Sequence, residues 1–267
     1  GVFSNASDTS NSLKESNVVG LQDILRLATQ SKIKPVHFIS TVSVFDHEDG
    51  EQGKIYTEED MPEKKLSIIG SADRIRMRTA EQVIHLARKR GIPISLYRCG
   101  RIIGDSQTGA SEMESWIGKL ITGCITIGKA PRELNHLEGL PVDYISRGII
   151  HLSMTADVDD NYHFYNPNGL DFESLVTSME QLGIKIERVP REEWIEMLRQ
   201  EEKDGKHSFV ELLDELVSEE KNVVVSGKKT EILLTKSSIT PNEMDMHFFS
   251  KMLQYLIRTK QLKIPTL

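Results

Sequence analysis

Within ADRIRMRTAEQVI, residues 72–84, Asp73 and Arg76 stand one helical turn apart, the spacing at which a carboxylate and a guanidinium share a helix face. Such a carboxylate could take a proton from a carbon acidified by flanking carbonyls, with the arginine holding it ionised. A solvent-facing i, i+3 pair gives the same pattern. In YRCG, Cys99 lies next to Arg98 and two residues before Arg101, cations that would favour a nucleophilic thiolate. The other reading of Cys99 is a small buried hydrophobe. None of the eight histidines is tied to it by a motif. Thr41 puts a hydroxyl at the end of a β-rich run, where threonine is also simply a good strand former. Gly104, Asp105 and Ser106 open GDSQTG, a polar turn. Arg74, Arg76, Arg78, Arg88, Lys89, Arg90, Arg98 and Arg101 face one acid, Glu81, between residues 74 and 101. That run reads either as a solvated helix face or as a dock for phosphate or an acidic partner.

The elements that must position these residues alternate. NVVGLQDILRLATQSK (17–32) has helical apolar spacing and KPVHFISTVSVF (34–45) is a short β-rich run. After a polar loop (46–65), a helix runs through TAEQVIHLARKRG, with Gly91 as its C-cap and Pro93 as a stop. IPISLYRCGRIIG follows as a buried strand, so helices and strands alternate as in a parallel α/β sheet. SEMESWIGKLITGCI and VDYISRGIIHLSM read as helices and NYHFYNP as a strand. From about residue 170 the pattern turns helical, through DFESLVTSMEQLG, REEWIEMLRQ, FVELLDELVSE and MDMHFFSKMLQYLIRTKQL. KNVVVSGKKTEILLT fits a short strand pair or an irregular connection. The fold class is therefore α/β, a partial Rossmann-like parallel sheet over residues 1–168 with a mostly helical subdomain over 169–267.

Composition bounds the function. A chain of 267 residues is one large domain, or a domain with a subdomain. Two cysteines, Cys99 and Cys124, give neither a disulfide framework nor a metal-ligand spacing, which fits a reducing cytoplasm. No apolar run reaches the roughly 18 residues of a membrane span, and residues 1–20 lack a signal peptide's apolar region. The net charge of −7 argues against a general nucleic-acid binder.

HFISTVSVF, TAEQVIHLARKRGIPISLYRCGRIIGDSQTGA, LPVDYISRGIIHLS, YHFYNP, IERVPREEWIEML and MLQYLIRTKQLKIP follow one another in an order that resembles the terminal thioester reductase domains of nonribosomal peptide and polyketide synthases. These are extended short-chain dehydrogenases. The resemblance implies action on an acyl or peptidyl thioester carried by the phosphopantetheine arm of a carrier protein, released as aldehyde or alcohol with NADPH. It places Thr41 where a hydroxyl holds the substrate carbonyl, Cys99 at the pocket mouth where the family has proline, and Arg101, Gly104, Asp105 and Ser106 in or beside the substrate-facing loop. Arg74, Arg76 and Arg78 become contacts for the carrier or its phosphate.

Two family features are missing. No G-x-G-x-x-G or G-x-x-G-x-x-G occurs in the 267 residues. The resemblance places roughly the first hundred family residues before this sequence, as expected of a fragment or a shortened domain. The family's Y-x-x-x-K pair, in which tyrosine donates a proton and lysine grips the nicotinamide ribose, aligns on Asp73 and Met77. A thioether can do neither job. The expectation is accordingly no cofactor for this chain and non-redox release by Dieckmann-type cyclisation, with Asp73 as base beside Thr41. Reduction with a cofactor-binding half outside the chain, and a non-catalytic carrier-binding remnant, are the alternatives. If the strand at 34–45 lost its neighbours, its open edge calls for a homodimer or for cover by residues 1–16.

Overall fold

A computed structural model describes residues 20–45, 54–62, 72–132, 134, 137–156, 159–166, 169–203, 208–210, 212–213, 216 and 224–262. In chain order the first elements are α1 (Gly20–Thr29), β1 (Val36–Thr41), β2 (Ile55–Tyr56), α2 (Ala72–Arg88), β3 (Ile94–Cys99), β4 (Ile102–Ile103) and α3 (Trp116–Ile127). They are followed by β5 (Lys129–Pro131), β6 (Leu140–Pro141), α4 (Val142–Thr155), β7 (Asn161–Phe164), α5 (Phe172–Gln181) and β8 (Glu187–Val189). The last are α6 (Arg191–Lys203), β9 (Val224–Val225), α7 (Lys228–Lys236) and α8 (Met246–Arg258).

Two compact units are built from interleaved segments, whereas the sequence pattern offers a single change of character near residue 170. The first takes Gly1–Gly100, Arg147–Tyr165 and Val223–Ile239; the second takes Arg101–Ser146, Asn166–Asn222 and Thr240–Leu267.

In the first unit β1, β3 and β7 form a parallel sheet in the order β1-β3-β7. All six residues of β3 are buried, as a central parallel strand requires. Leu21 and Ala28 of α1 and Ala80, Ile84 and Ala87 of α2 recur at helical spacing and close over Val36, Ile94 and Leu96. Gly91, at φ +83°, ends α2, while Ile92 N–H donates to Ala87 O, a left-handed cap that a side chain would strain. Among the described residues β1 pairs only with β3, and Ile39 is 55% exposed.

In the second unit β5 pairs with β8, and α3, α5, α6 and α8 enclose a core of Leu120, Met179, Trp194, Phe249 and Leu253. Trp194 donates its indole N–H to Lys129 O at 2.9 Å, which lets a large aromatic sit fully buried. The Asp245 carboxylate caps α8 by accepting Phe248 N–H at 2.9 Å.

One stretch departs from both sequence readings. Val224–Val225 is a strand, paired in parallel with Ile55–Tyr56, but Lys228–Lys236 is the helix α7. Thr230 and Leu234, one turn apart, are its buried residues, so the tertiary fold uses an apolar side too short to dominate the sequence pattern. FVELLDELVSE lies largely outside the described residues. No helix among them is long and apolar enough to cross a membrane, and no His/Cys/Asp/Glu group among them could hold a metal.

Candidate functional site

The end of β1 and the N-terminal half of α2 are joined by three contacts. Ser40 Oγ donates to Glu81 Oε1 at 2.5 Å. Arg78 Nε–H donates to Val44 O at 2.6 Å. Met77 packs against the apolar cluster of Val42, Val44, Phe45, Tyr56 and Val225, together with Tyr165. These contacts fall at Met77, Arg78 and Glu81, and Asp73 stands one to two turns nearer the N-terminus of α2. The Asp73 side chain lies outside the described residues.

Thr41 is half-buried and caps a short 3-10 turn, Val42–Val44. Its hydroxyl donates to Ser43 Oγ at 3.1 Å and accepts Ser43 N–H at 3.1 Å. The exposed hydroxyl of Ser43 is thus part of the site, a residue that the sequence reading missed although it is visible in ISTVS. In register, Thr41 lies opposite Cys99 on β3. Cys99 is buried, and burial pushes its thiol up to about 12, so it is a protonated, inert core group at neutral pH.

Behind the strand ends lies a buried charge network that sequence reading did not single out. Arg98 and Glu81 are both fully buried and meet at 2.8 Å between Nη2 and Oε2, with Nε donating to the same carboxylate. Arg98 Nη1 donates to Asp60 O at 2.9 Å and to His163 Nε2 at 3.1 Å. His163 Nδ1–H donates to Ser226 O at 2.9 Å, which fixes the tautomer and leaves Nε2 as acceptor. Burial, reinforced by Arg98, lowers His163 to about 4, so it is neutral under ordinary conditions. The Arg98 guanidinium also lies 4.8 Å from the Phe45 ring centroid. Every partner is distant in sequence, which is why no local motif reveals the network.

Of the two readings of the basic run, a solvated helix face fits the exposed Lys89 and Arg90 but not the first three arginines. Arg76 and Arg78 are buried, at 9% and 4% exposure, and Arg74 is half-buried. Long stems let these charges reach polar atoms from inside the fold.

The remaining predicted residues belong to the second unit. Arg101 N–H donates to Glu138 Oε1 at 3.3 Å, and its guanidinium lies 4.6 Å from the Trp116 ring centroid. Gly104 closes a tight loop, since a Cβ there would come within 2.8 Å of Ala110 O. Asp105 Oδ1 accepts Gln107 N–H, Thr108 N–H and Thr108 Oγ1–H, at 3.0, 2.7 and 2.8 Å, so this carboxylate builds the turn. Ser106 is buried and held from three sides. Its N–H and hydroxyl donate to the Asp143 carboxylate at 2.8 and 2.9 Å, Asn242 Nδ2 donates to its Oγ at 2.6 Å, and Lys251 Nζ donates to its carbonyl at 3.3 Å.

Residues 4–149 match the model of an NAD-binding family described as male sterility protein. The chain belongs to that family. Its relatives and structural neighbours include terminal reductase domains of peptide and polyketide synthases, of the extended short-chain dehydrogenase type. The chain is 41% identical over 259 residues to a linear gramicidin synthase polypeptide of Brevibacillus parabrevis, covering 94% of this chain and 5% of that one. It is 32% identical over 189 residues to glycine betaine reductase ATRR of Emericella nidulans, covering 68% of this chain and 14% of that one. It therefore spans a small part of both curated relatives. The crystal structure of the terminal R domain of the myxalamid synthase pathway superimposes with a TM-score of 0.82 at 28% identity, covering all of this chain and 68% of that one.

Family membership implies a nicotinamide cofactor, and the residues in this reductase-type domain fit it poorly. The position that resemblance assigns to the ribose-gripping lysine is Met77, whose thioether is packed among Val42, Val44 and Phe45. It offers a ribose neither charge nor donor.

Proposed function

We propose that this domain takes an acyl or peptidyl thioester from a carrier protein and releases it without hydride transfer, by attack of a substrate carbon on the thioester carbonyl. The observation that carries this reading is Met77, held in an apolar cluster at the position where the family's reductive chemistry needs a cation. Two likenesses support the carrier-bound substrate. The 41% identical relative is part of a synthase, and an archaeal thiolation-reductase di-domain shares the fold at 19% identity and a TM-score of 0.78.

In the proposed reaction Asp73 accepts a proton from a carbon flanked by carbonyls, and the Thr41 hydroxyl, redirected from Ser43, steadies the thioester oxygen as charge develops. The new carbon–carbon bond forms as the carbon–sulfur bond breaks, and the arm's thiolate leaves to be protonated. Both reacting groups belong to one tethered molecule, so proximity supplies much of the acceleration. Cys99, with a thiol near 12, lines the site without attacking.

The NAD-binding match favours one second reading, NADPH-dependent reduction completed by residues outside this chain. Release from a carrier-tethered β-ketoacyl aminoacyl thioester separates the two. The cyclised product should form without nucleotide and fall by about 10² to 10⁴ in Asp73→Asn and Thr41→Val. Aldehyde or alcohol formed only with NADPH would establish reduction, and release no faster than spontaneous hydrolysis would leave a carrier-binding role.

A further inference from the structure

In the second unit, the tip of the Gly104–Ala110 loop and one stripe of α8 enclose a cleft of about 330 Å³, lined by Thr108, Lys251, Gln254, Tyr255 and Arg258. The α8 residues are spaced i, i+3, i+4 and i+7, so one helix face supplies them, while Phe248, Phe249, Met252, Leu253 and Leu256 bury the other. Lys251, Gln254, Tyr255 and Arg258 all carry hydrogen-bond donors, the Thr108 hydroxyl is given to Asp105, and no lining side chain is a carboxylate.

Charge makes this composition informative. The chain carries 40 acids against 33 Lys and Arg, yet among the described residues neither Lys251 nor Arg258 is ion-paired. Lys251 reaches only the Ser106 carbonyl, and Arg258 lies over the Tyr255 ring, 5.6 Å from its centroid. The wall opposite α8 is rigid. Asp105 locks the loop as a turn, and Asp143, Asn242 and Lys251 clamp Ser106. Gly109, at φ +73°, lets the loop touch the Lys251 carbonyl, with which any Cβ would collide. Two cations without an ion-pair partner among the described residues, on one helix face beside a fixed turn, form a preorganised anion site.

We infer that this cleft is a phosphate subsite that holds the phosphodiester of the carrier's phosphopantetheine arm. This rests on the carrier-thioester reading. Guanidinium and ammonium suit phosphate oxygens, the former bidentately. Lys251 and Arg258 are about 10 Å apart along the helix, a distance that their long side chains can close from both sides.

The test is binding, not turnover. 4′-Phosphopantetheine and pantetheine, which differ by the phosphate, are titrated into the 267-residue chain by NMR chemical-shift perturbation. The phosphorylated form should bind at least about tenfold more tightly, with shifts at Thr108, Gln254 and Tyr255. Arg258→Gln, which removes an exposed side chain that does not hold the loop, should erase most of that advantage. Lys236→Gln, on α7, should leave it intact. Lys251→Gln should reduce it too, and Arg258→Gln keeps the test valid if that variant unsettles the loop. Equal binding of the two probes, an advantage unchanged in Arg258→Gln, or inorganic phosphate binding as tightly as the arm would overturn the assignment. A phosphate advantage without product release would keep the subsite and remove the release reading, and release without the advantage would do the reverse.

Discussion

Met77 and Glu81 lie one turn apart on the same side of α2, and their surroundings could hardly differ more. Glu81 is fully buried yet satisfied by Arg98 and Ser40. Met77 packs among apolar side chains where the reductase-domain resemblance calls for a lysine. A buried charge survives only where its partners survive with it, because an unpaired ion costs several kcal/mol. The network that holds β1, α2 and β7 together is satisfied throughout, whereas Met77, one turn away, is half-buried against an apolar cluster.

The largest expected effect breaks the intact side of this comparison. Glu81→Ala strands Arg98 without its counter-ion and should cost about 3–5 kcal/mol in urea unfolding. A loss below about 1 kcal/mol would mean that the pair is not what holds the strand ends.

Acid attacks the same network through His163. Its pKa falls from 6.5 to about 4 on folding, so the unfolded chain binds the proton more readily between those values. Stability linked to this group is whole above pH 6.5 and is lost as pH drops towards 4, by about 3 kcal/mol. Unfolding profiles of wild type and His163→Gln should diverge across that window, and parallel profiles would show that the imidazole is not held neutral.

Met77→Lys probes the apolar side. Returning an ammonium to a site built for a thioether should cost about 1–2 kcal/mol, softened because the half-buried stem can bend outward. A variant more stable than wild type would show that the cluster still accommodates the cation. The smallest effect is Ser40→Ala, which removes one hydrogen bond to Glu81 while Arg98 remains, at about 1 kcal/mol. A value near that for Glu81→Ala would place the weight of the network on the serine.

Much of the scaffold was readable in advance because its signals are local. Six consecutive buried positions mark β3 as an inner parallel strand, Gly91 ends α2, and the spacing of Phe249, Leu253 and Leu256 marks α8. The paired strands of two or three residues, such as β4 with β6, were not readable, since so few residues carry no period. The basic run was misleading for a related reason. Whether an arginine is solvated or buried depends on partners such as Val44 O, 34 residues from Arg78, and His163, 65 residues from Arg98. At the candidate site, Thr41 and the substitution at Met77 were visible from residue types, but the pairing of Thr41 with Ser43 and the cation-lined cleft on α8 needed three dimensions.

The most direct test of release without hydride transfer is an isotope experiment. The chain is given the carrier-tethered thioester with NADPH deuterated at both C4 positions, and the released product is weighed by mass spectrometry. Product free of deuterium, formed at the same rate when nucleotide is omitted, is the expected result. Deuterium carried into an aldehyde or alcohol would contradict it.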